Sequence, residues 1–122
     1  MVKPKPWWLR WFTASYEWVT VYPNIYYPAN ANPTCGYCLA HENVHLQRQH
    51  DKGLYSWVFK YFTDKAFKFD EEVRAMRAEL AFDPSRRGWR LPEMAGQLSG
   101  GVYGSLVSYQ QAYTALSAYS YD

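Results

Sequence analysis

Residues 35–53 read CGYCLAHENVHLQRQHDKG, and the segment HENVH at 41–45 decides how the rest of the chain is understood. A helix is expected to begin near Cys35, with Thr34 or Asn32 as its N-cap, and to stop near Gly53, a residue suited to the position just past a helix end. Residues i and i+4 of a helix share one face, a turn apart. His41 and His45 can therefore offer two imidazoles to a single metal ion, and zinc takes such nitrogens at about 2.0–2.1 Å. Glu42 projects to the side, where it can act as general base towards a water activated by the metal.

Working outward, residues 16–27 (YEWVTVYPNIYY) are rich in β-branched and aromatic types that suit strands. Pro23 interrupts them, which implies an edge strand or two short strands meeting at a turn. Residues 28–34 form a loop by composition, and residues 1–15 an N-terminal arm or short first element. Downstream, LYSWVFKYF at 54–62 is expected to be helical. A third helix is expected after Asp70, over EEVRAMRAELAF. Residues 83–90 are expected to form a loop, and its Arg86 and Arg87 with Arg90 a solvated basic stretch. A short helix over 91–99 would carry Pro92 in its first turn. Gly100, Gly101 and Gly104 then break the pattern before a last helix at about 105–119. The expected fold class is α+β in one domain, residues 1–122, with short antiparallel strands followed by the metal-binding helix and further helices.

A third ligand is sought among Glu71, Glu72 and Glu79. On a wheel at 3.6 residues per turn, Phe69, Val73, Met76 and Leu80 define the apolar face of the third helix. Glu72 borders that face, Glu71 points nearly opposite, and Glu79 lies at the far margin. A carboxylate against apolar surroundings is costly unless paired or bound to metal, which selects Glu72. His41, His45 and Glu72 would leave one coordination position open, the arrangement of catalytic zinc. An oxyanion donor is sought among Tyr103, Tyr109 and Tyr113, with Tyr103 the one carried forward.

HENVH on a helix resembles the zincin metallopeptidases. His50 is only five positions after His45, so no third His stands at the metzincin spacing. The pattern is more similar to the gluzincin branch, in which a Glu on a later helix completes the site. Short zincin-like proteins, phage-encoded ones among them, show a strand, an HExxH helix, an aromatic connecting segment and a helix carrying E-x-x-A. The last motif is EVRA at 72–75 here, and the likeness covers roughly residues 17–82. The resemblance implies a minimal zincin-like domain, a Zn2+ cofactor, Glu72 as third ligand and a metallopeptidase acting on a peptide or protein substrate. A non-enzymatic virion or host-interaction protein that retains the scaffold is the alternative.

Composition sets the outer limits. The chain has 122 residues, 48% hydrophobic and 20% aromatic, which is unlike a disordered chain. The net charge of +2 offers no electrostatic case for a nucleic-acid partner. No apolar run approaches the roughly 20 residues that cross a bilayer, and MVKPKPWWLRWF lacks the core and cleavage site of a signal peptide. A soluble protein is expected, cytoplasmic or virion-associated. Trp7, Trp8, Trp11 and Phe12 are expected to pack on the domain, with contact to a membrane interface as the alternative, while other aromatic surface is available to an assembly partner or a ligand. Cys35 and Cys38 are too few for a secreted disulfide framework. They are expected to be packed or joined locally; a closed Cys35, Cys38, His41, His45 zinc site and a redox pair are the rival readings. The edge of the 16–27 strand region is a candidate for pairing with an extended peptide.

Overall fold

A computed structural model describes residues 1–11, 13–14 and 17–118. The chain is α+β. Three strands, β1 (Val2–Pro4), β2 (Val19–Val21) and β3 (Asn24–Tyr27), form a sheet in the order β1-β3-β2. The described helices are α1 (Gly36–Lys52), α2 (Leu54–Thr63), α3 (Lys65–Phe82), α4 (Arg87–Ser99) and α5 (Tyr109–Ser117).

The sheet is mixed, which corrects the expectation of antiparallel strands only. β2 and β3 are antiparallel, with Thr20 opposite Ile25, and turn at Tyr22–Pro23; this is the two-strand alternative. β1 runs parallel to β3, with Lys3 beside Tyr26. The chain start is therefore a sheet strand, not a loose arm. Pairing of β1 gives its backbone groups partners that a free arm would have to find in water. Lys5 fastens the return, donating from Nζ to Ala14 O and Glu17 O at 2.7 Å each and to Thr13 Oγ1 at 3.1 Å. Between them, Trp7–Trp11 form a 3-10 turn. Leu9 of that turn is buried, while Trp7, Trp8 and Trp11 are exposed. The expected packing of these three rings fails because Leu9 takes the inward place in this short turn. Phe12, the expected strand start at Tyr16 and the expected helix end at residue 119 lie outside the described residues.

Helix α1 begins and stops where expected, but neither expected cap is used: Asn32 Oδ1 accepts from Thr34 N and Thr34 Oγ1 at 2.9 and 2.7 Å, and Cys35 Sγ accepts from Cys38 N at 3.3 Å. Cys35 occupies its N-cap, and Gly53 follows it at φ +85°, a left-handed region conformation that favours glycine. Gly53 alone separates α1 from α2, and Asp64 alone separates α2 from α3. α3 starts at Lys65, earlier than expected. The Asp64 carboxylate accepts from Phe67 N at 3.1 Å and so caps the helix. Asp70 lies inside α3, where it accepts from Arg74 Nε at 2.8 Å.

α4 also starts early, at Arg87, directly after a 3-10 turn at Pro84–Arg86. Pro92 thus falls in the second turn. Its missing N–H removes the bond that the Gly88 carbonyl, four residues back, would otherwise accept from position 92. α5 waits until Tyr109 because Ser108 and Gln111 form a capping box there. The main apolar core joins Val73, Met76 and Leu80 of α3 to Leu91, Met94, Ala95 and Leu98 of α4 and to Ala112 and Leu116 of α5. Full burial of a side chain such as Met76 or Leu98 contributes roughly 1.5–3 kcal/mol. α3 is thereby held on one side by this core and on another by α1 and α2. None of the described helices is long and apolar enough to cross a membrane.

Candidate metal centre

The site is built from α1 and α3, with β2 and α2 at its flanks. The helical spacing brings the rings of His41 and His45 to 5.2 Å between centroids. α3 lies against α1 and delivers Glu72. One Glu72 oxygen, Oε2, is 3.1 Å from His45 Nε2, and the other, Oε1, is 3.5 Å from His41 Nε2. One ligand atom from each of the three residues lies within 4.8 Å of the other two. Among the described residues this is the group of three or more that could hold a metal ion.

Several features fit a cation there. Glu72 is buried, and its Oε1 has no hydrogen-bond partner; the same is true of His45 Nδ1. Buried polar atoms are normally satisfied, so an orphaned carboxylate oxygen facing two imidazoles marks a place for a positive charge. Burial by itself would lower the pKa of His41, but Glu72, Glu79 and Glu42 outweigh it and push the value up to about 10. Burial would raise the pKa of Glu72, yet His45 and His41 hold it well below the usual carboxylate range. The field of the pocket therefore favours added positive charge. Two imidazole nitrogens and one carboxylate form a donor set that zinc accepts.

Glu42 is buried beside the ligands. Its Oε1 accepts from Thr20 Oγ1 at 2.9 Å, and its Oε2 lies 3.7 Å from His41 Nε2. One oxygen is thus fixed by the sheet while the other faces the metal position. Glu72 Oε2 accepts from Tyr61 OH at 2.7 Å. Burial, then the charge of Glu72, holds the Tyr61 proton firmly in place. Tyr103 is brought to the site as well. Burial together with the facing Glu72 and Glu42 carboxylates raises its pKa, so its hydroxyl stays a donor. Tyr109 and Tyr113 instead pair with each other on α5, with centroids 6.1 Å apart, and are exposed.

Glu79 is placed behind His41. Its Oε1 is 3.3 Å from His41 Nδ1, close enough for electrostatic attraction though out of line for a hydrogen bond. Arg90 Nε and Arg86 Nη1 reach its other oxygen at 2.8 and 3.1 Å. Burial would raise the Glu79 pKa, but His41 and Arg90 bring it down to about 2. A carboxylate this close to Nδ1 favours a proton on that nitrogen by charge and so leaves Nε2 for a metal. Arg86 and Arg90 are accordingly anchored side chains, which corrects their reading as part of a solvated stretch. Arg86 also lies 3.5 Å over the ring of Tyr37.

Glu71 differs most from expectation. It is 0% exposed, although the wheel turned it away from the apolar face. Its Oε1 accepts from Trp57 Nε1 at 2.6 Å and its Oε2 from Arg48 Nε at 2.5 Å. A single apolar face on the wheel cannot represent a helix covered on two sides. Trp57 in turn packs edge-on against His45, at 5.6 Å. Thr20, Tyr61 and this Trp57–Glu71–Arg48 set escaped the sequence reading. The i, i+4 pair Trp57 and Tyr61 was a visible signal of the inward face of α2.

The cysteines are joined as a Cys35–Cys38 disulfide across the first turn of α1. That bears out the local link and leaves neither sulfur as a thiolate for the closed zinc site. His50 is exposed and pairs with Asp51, away from the metal centre. At β2 and the turn residue after it, Gln49 Nε2 donates to Thr20 O at 2.9 Å, and Gln49 Oε1 accepts from Tyr22 N at 2.7 Å. α1 thus occupies two backbone groups of that strand edge, which counts against peptide pairing there. Comparison of the chain with protein-family models, with curated proteins and with solved structures gives no match.

Proposed function

We propose that this chain is a zinc-dependent, metallopeptidase-like hydrolase that cleaves an amide bond in a peptide or protein substrate. The observation that carries the reading is the convergence of His41, His45 and Glu72 on one point, with Glu42 alongside. The zincin-like reading of HENVH and EVRA supports it. A zinc ion held by these three residues would acidify a water and polarise a substrate carbonyl.

The protein's own groups supply the remainder. His41, His45 and Glu72 would hold the ion, Tyr61 fixes Glu72 by its hydrogen bond, and the Glu79 carboxylate draws the Nδ1 side of His41 by charge. Glu42 accepts a proton on Oε2 while Thr20 restrains Oε1. Its buried position leaves that proton available for the leaving amine. Tyr103 offers a protonated hydroxyl to the oxygen that gains charge.

Elemental analysis of purified wild type, His45→Ala and Glu72→Ala tests the centre. One zinc per chain in the wild type, lost in both variants, is the expected result; iron in its place would overturn the zinc assignment, since two His and a carboxylate also suit non-haem iron. Glu42→Gln should then keep the metal and lose hydrolysis of an unfolded polypeptide. A second reading, a virion or host-interaction protein that retains the scaffold without catalysis, draws on the exposed rings of Trp7, Trp11 and Tyr55. It predicts that Glu42→Gln leaves the biological role intact.

A further inference from the structure

Lys68 stands on α3 four residues before Glu72, so the two side chains leave the helix on the same face, one turn apart. Its Nζ lies 5.2 Å from the ring centroid of Tyr61 and 5.8 Å from that of Tyr103, which comes from the 3-10 turn Gly101–Tyr103. Both rings belong to the metal centre. Tyr61 donates to Glu72, and the Glu72 and Glu42 charges act on the Tyr103 hydroxyl. Three elements thus bring a cation to the edge of the site.

This ammonium has no counter-charge. Among the described residues no carboxylate forms an ion pair with Lys68, and none accepts a hydrogen bond from its Nζ. The nearby acids on its own helix are engaged: Asp64 accepts from Phe67 N, Glu71 from Trp57 and Arg48, and Glu72 from Tyr61. Lys68 is also half-buried, whereas Lys60 and Lys65 are exposed. The faces of two rings attract the charge, but the three N–H donors are left for solvent or a ligand. A carboxylate is the complementary group.

The hydrolase reading says where that carboxylate would come from. A peptide whose reacting carbonyl meets the Tyr103 hydroxyl has its neighbouring residue only about 3.3–3.6 Å further along the chain, and Lys68 lies over the same ring. Glu42, Glu72 and Glu79 surround the centre, so an acidic substrate needs a cation at the edge to offset their repulsion.

We propose that Lys68 binds a carboxylate of the substrate, which makes peptides with an acidic group beside the scissile bond the preferred class. The proposal rests on the hydrolase reading and names its substrate. The acidic group is either the C-terminal carboxylate or an Asp or Glu side chain.

Mixtures of short peptides test it on the zinc-loaded full chain, with products read by mass spectrometry. One pair of mixtures is offered as free acids and as C-terminal amides. A second pair, all amides, is made with and without Asp and Glu. The form that carries the recognised carboxylate should be cleaved about tenfold better than its neutral counterpart, and which pair shows the difference assigns the terminus or the side chain. Lys68→Gln should bring that ratio close to one through KM rather than kcat, Lys68→Arg should restore it, and Lys60→Gln should leave it as in the wild type. Equal use of acidic and neutral peptides overturns the proposal. So does a Lys68→Gln variant that loses activity on all peptides alike, since the lysine would then only brace the two rings. Capture of the same mixtures by Glu42→Gln protein separates this from the hydrolase reading. Capture of acidic peptides that is lost in Lys68→Gln/Glu42→Gln, with no cleavage by the wild type, would sink the hydrolase and keep the carboxylate site. Capture without any acidic preference, or no capture at all, overturns the site itself.

Discussion

Replacing Glu71 by Ala tests the part of the architecture that the helical wheel misplaced. The change removes the acceptor of Trp57 Nε1 and of Arg48 Nε. A buried indole N–H left unpaired costs about 1–3 kcal/mol. Breaking a buried ion pair by removing one partner costs about 3–5 kcal/mol in full. The Arg48 side chain retains 24% exposure and can turn partly to water, so the loss belongs at the low end of that range. A total of about 4–6 kcal/mol follows for Glu71→Ala, and about 1–2 kcal/mol for Glu71→Gln, which keeps an acceptor. With a urea slope of about 1.5 kcal/mol/M, Glu71→Ala should lower the unfolding midpoint by about 3–4 M. The measurement is a urea titration followed by circular dichroism, with chelator present so that metal does not contribute. Arg48→Met combined with Glu71→Leu should recover part of the loss, because an apolar replacement of a buried pair is often close to neutral. A midpoint within about 0.3 M of wild type, or less than about 0.5 kcal/mol, would refute the reasoning and return Glu71 to solvent.

Other outcomes follow from the same contacts. Tyr61→Phe removes the donor to Glu72 and should weaken metal affinity about 10–100-fold, measured by competition with a chromophoric chelator. Thr20→Val frees Glu42 Oε1 and should lower turnover of a polypeptide substrate while the metal content of the purified protein stays at the wild-type level. Cys35→Ser/Cys38→Ser should leave metal stoichiometry unchanged, because the disulfide stands outside the ligand set; loss of the metal would revive the closed cysteine site. Met94→Ala should destabilise by about 2–5 kcal/mol, read from denaturant unfolding, because Met94 is at the centre of the packed core.

What could be read in advance was mostly local. The i, i+4 histidines, the stop at Gly53 and the position of Glu72 beside an apolar face depend on helix geometry alone, and the structure brings those three side chains together. The bounds of α3 and α4 were missed because capping is competitive. Asp64 and Asp70 are both acceptable caps by type, and only the folded chain shows that Asp64 faces a free N–H. The partners of the site were the least legible. Thr20 meets Glu42 across 22 positions and Arg48 meets Glu71 across 23, and no local period encodes such pairings. Glu79 was weighed as a ligand from its place on the wheel. Its position behind His41 depends on how α4 presents Arg90.

Gln49 has an effect beyond holding α1 to the sheet. A side-chain amide that supplies both an N–H and a carbonyl imitates one residue of an adjoining strand, so β2 is terminated as though already paired. The opposite border, β1, ends at Pro4, which has no N–H to give. A sheet blunted on both flanks resists fibrillar growth and strand exchange between molecules, so the protein can be crowded at high local concentration without its smallest structural layer becoming a template.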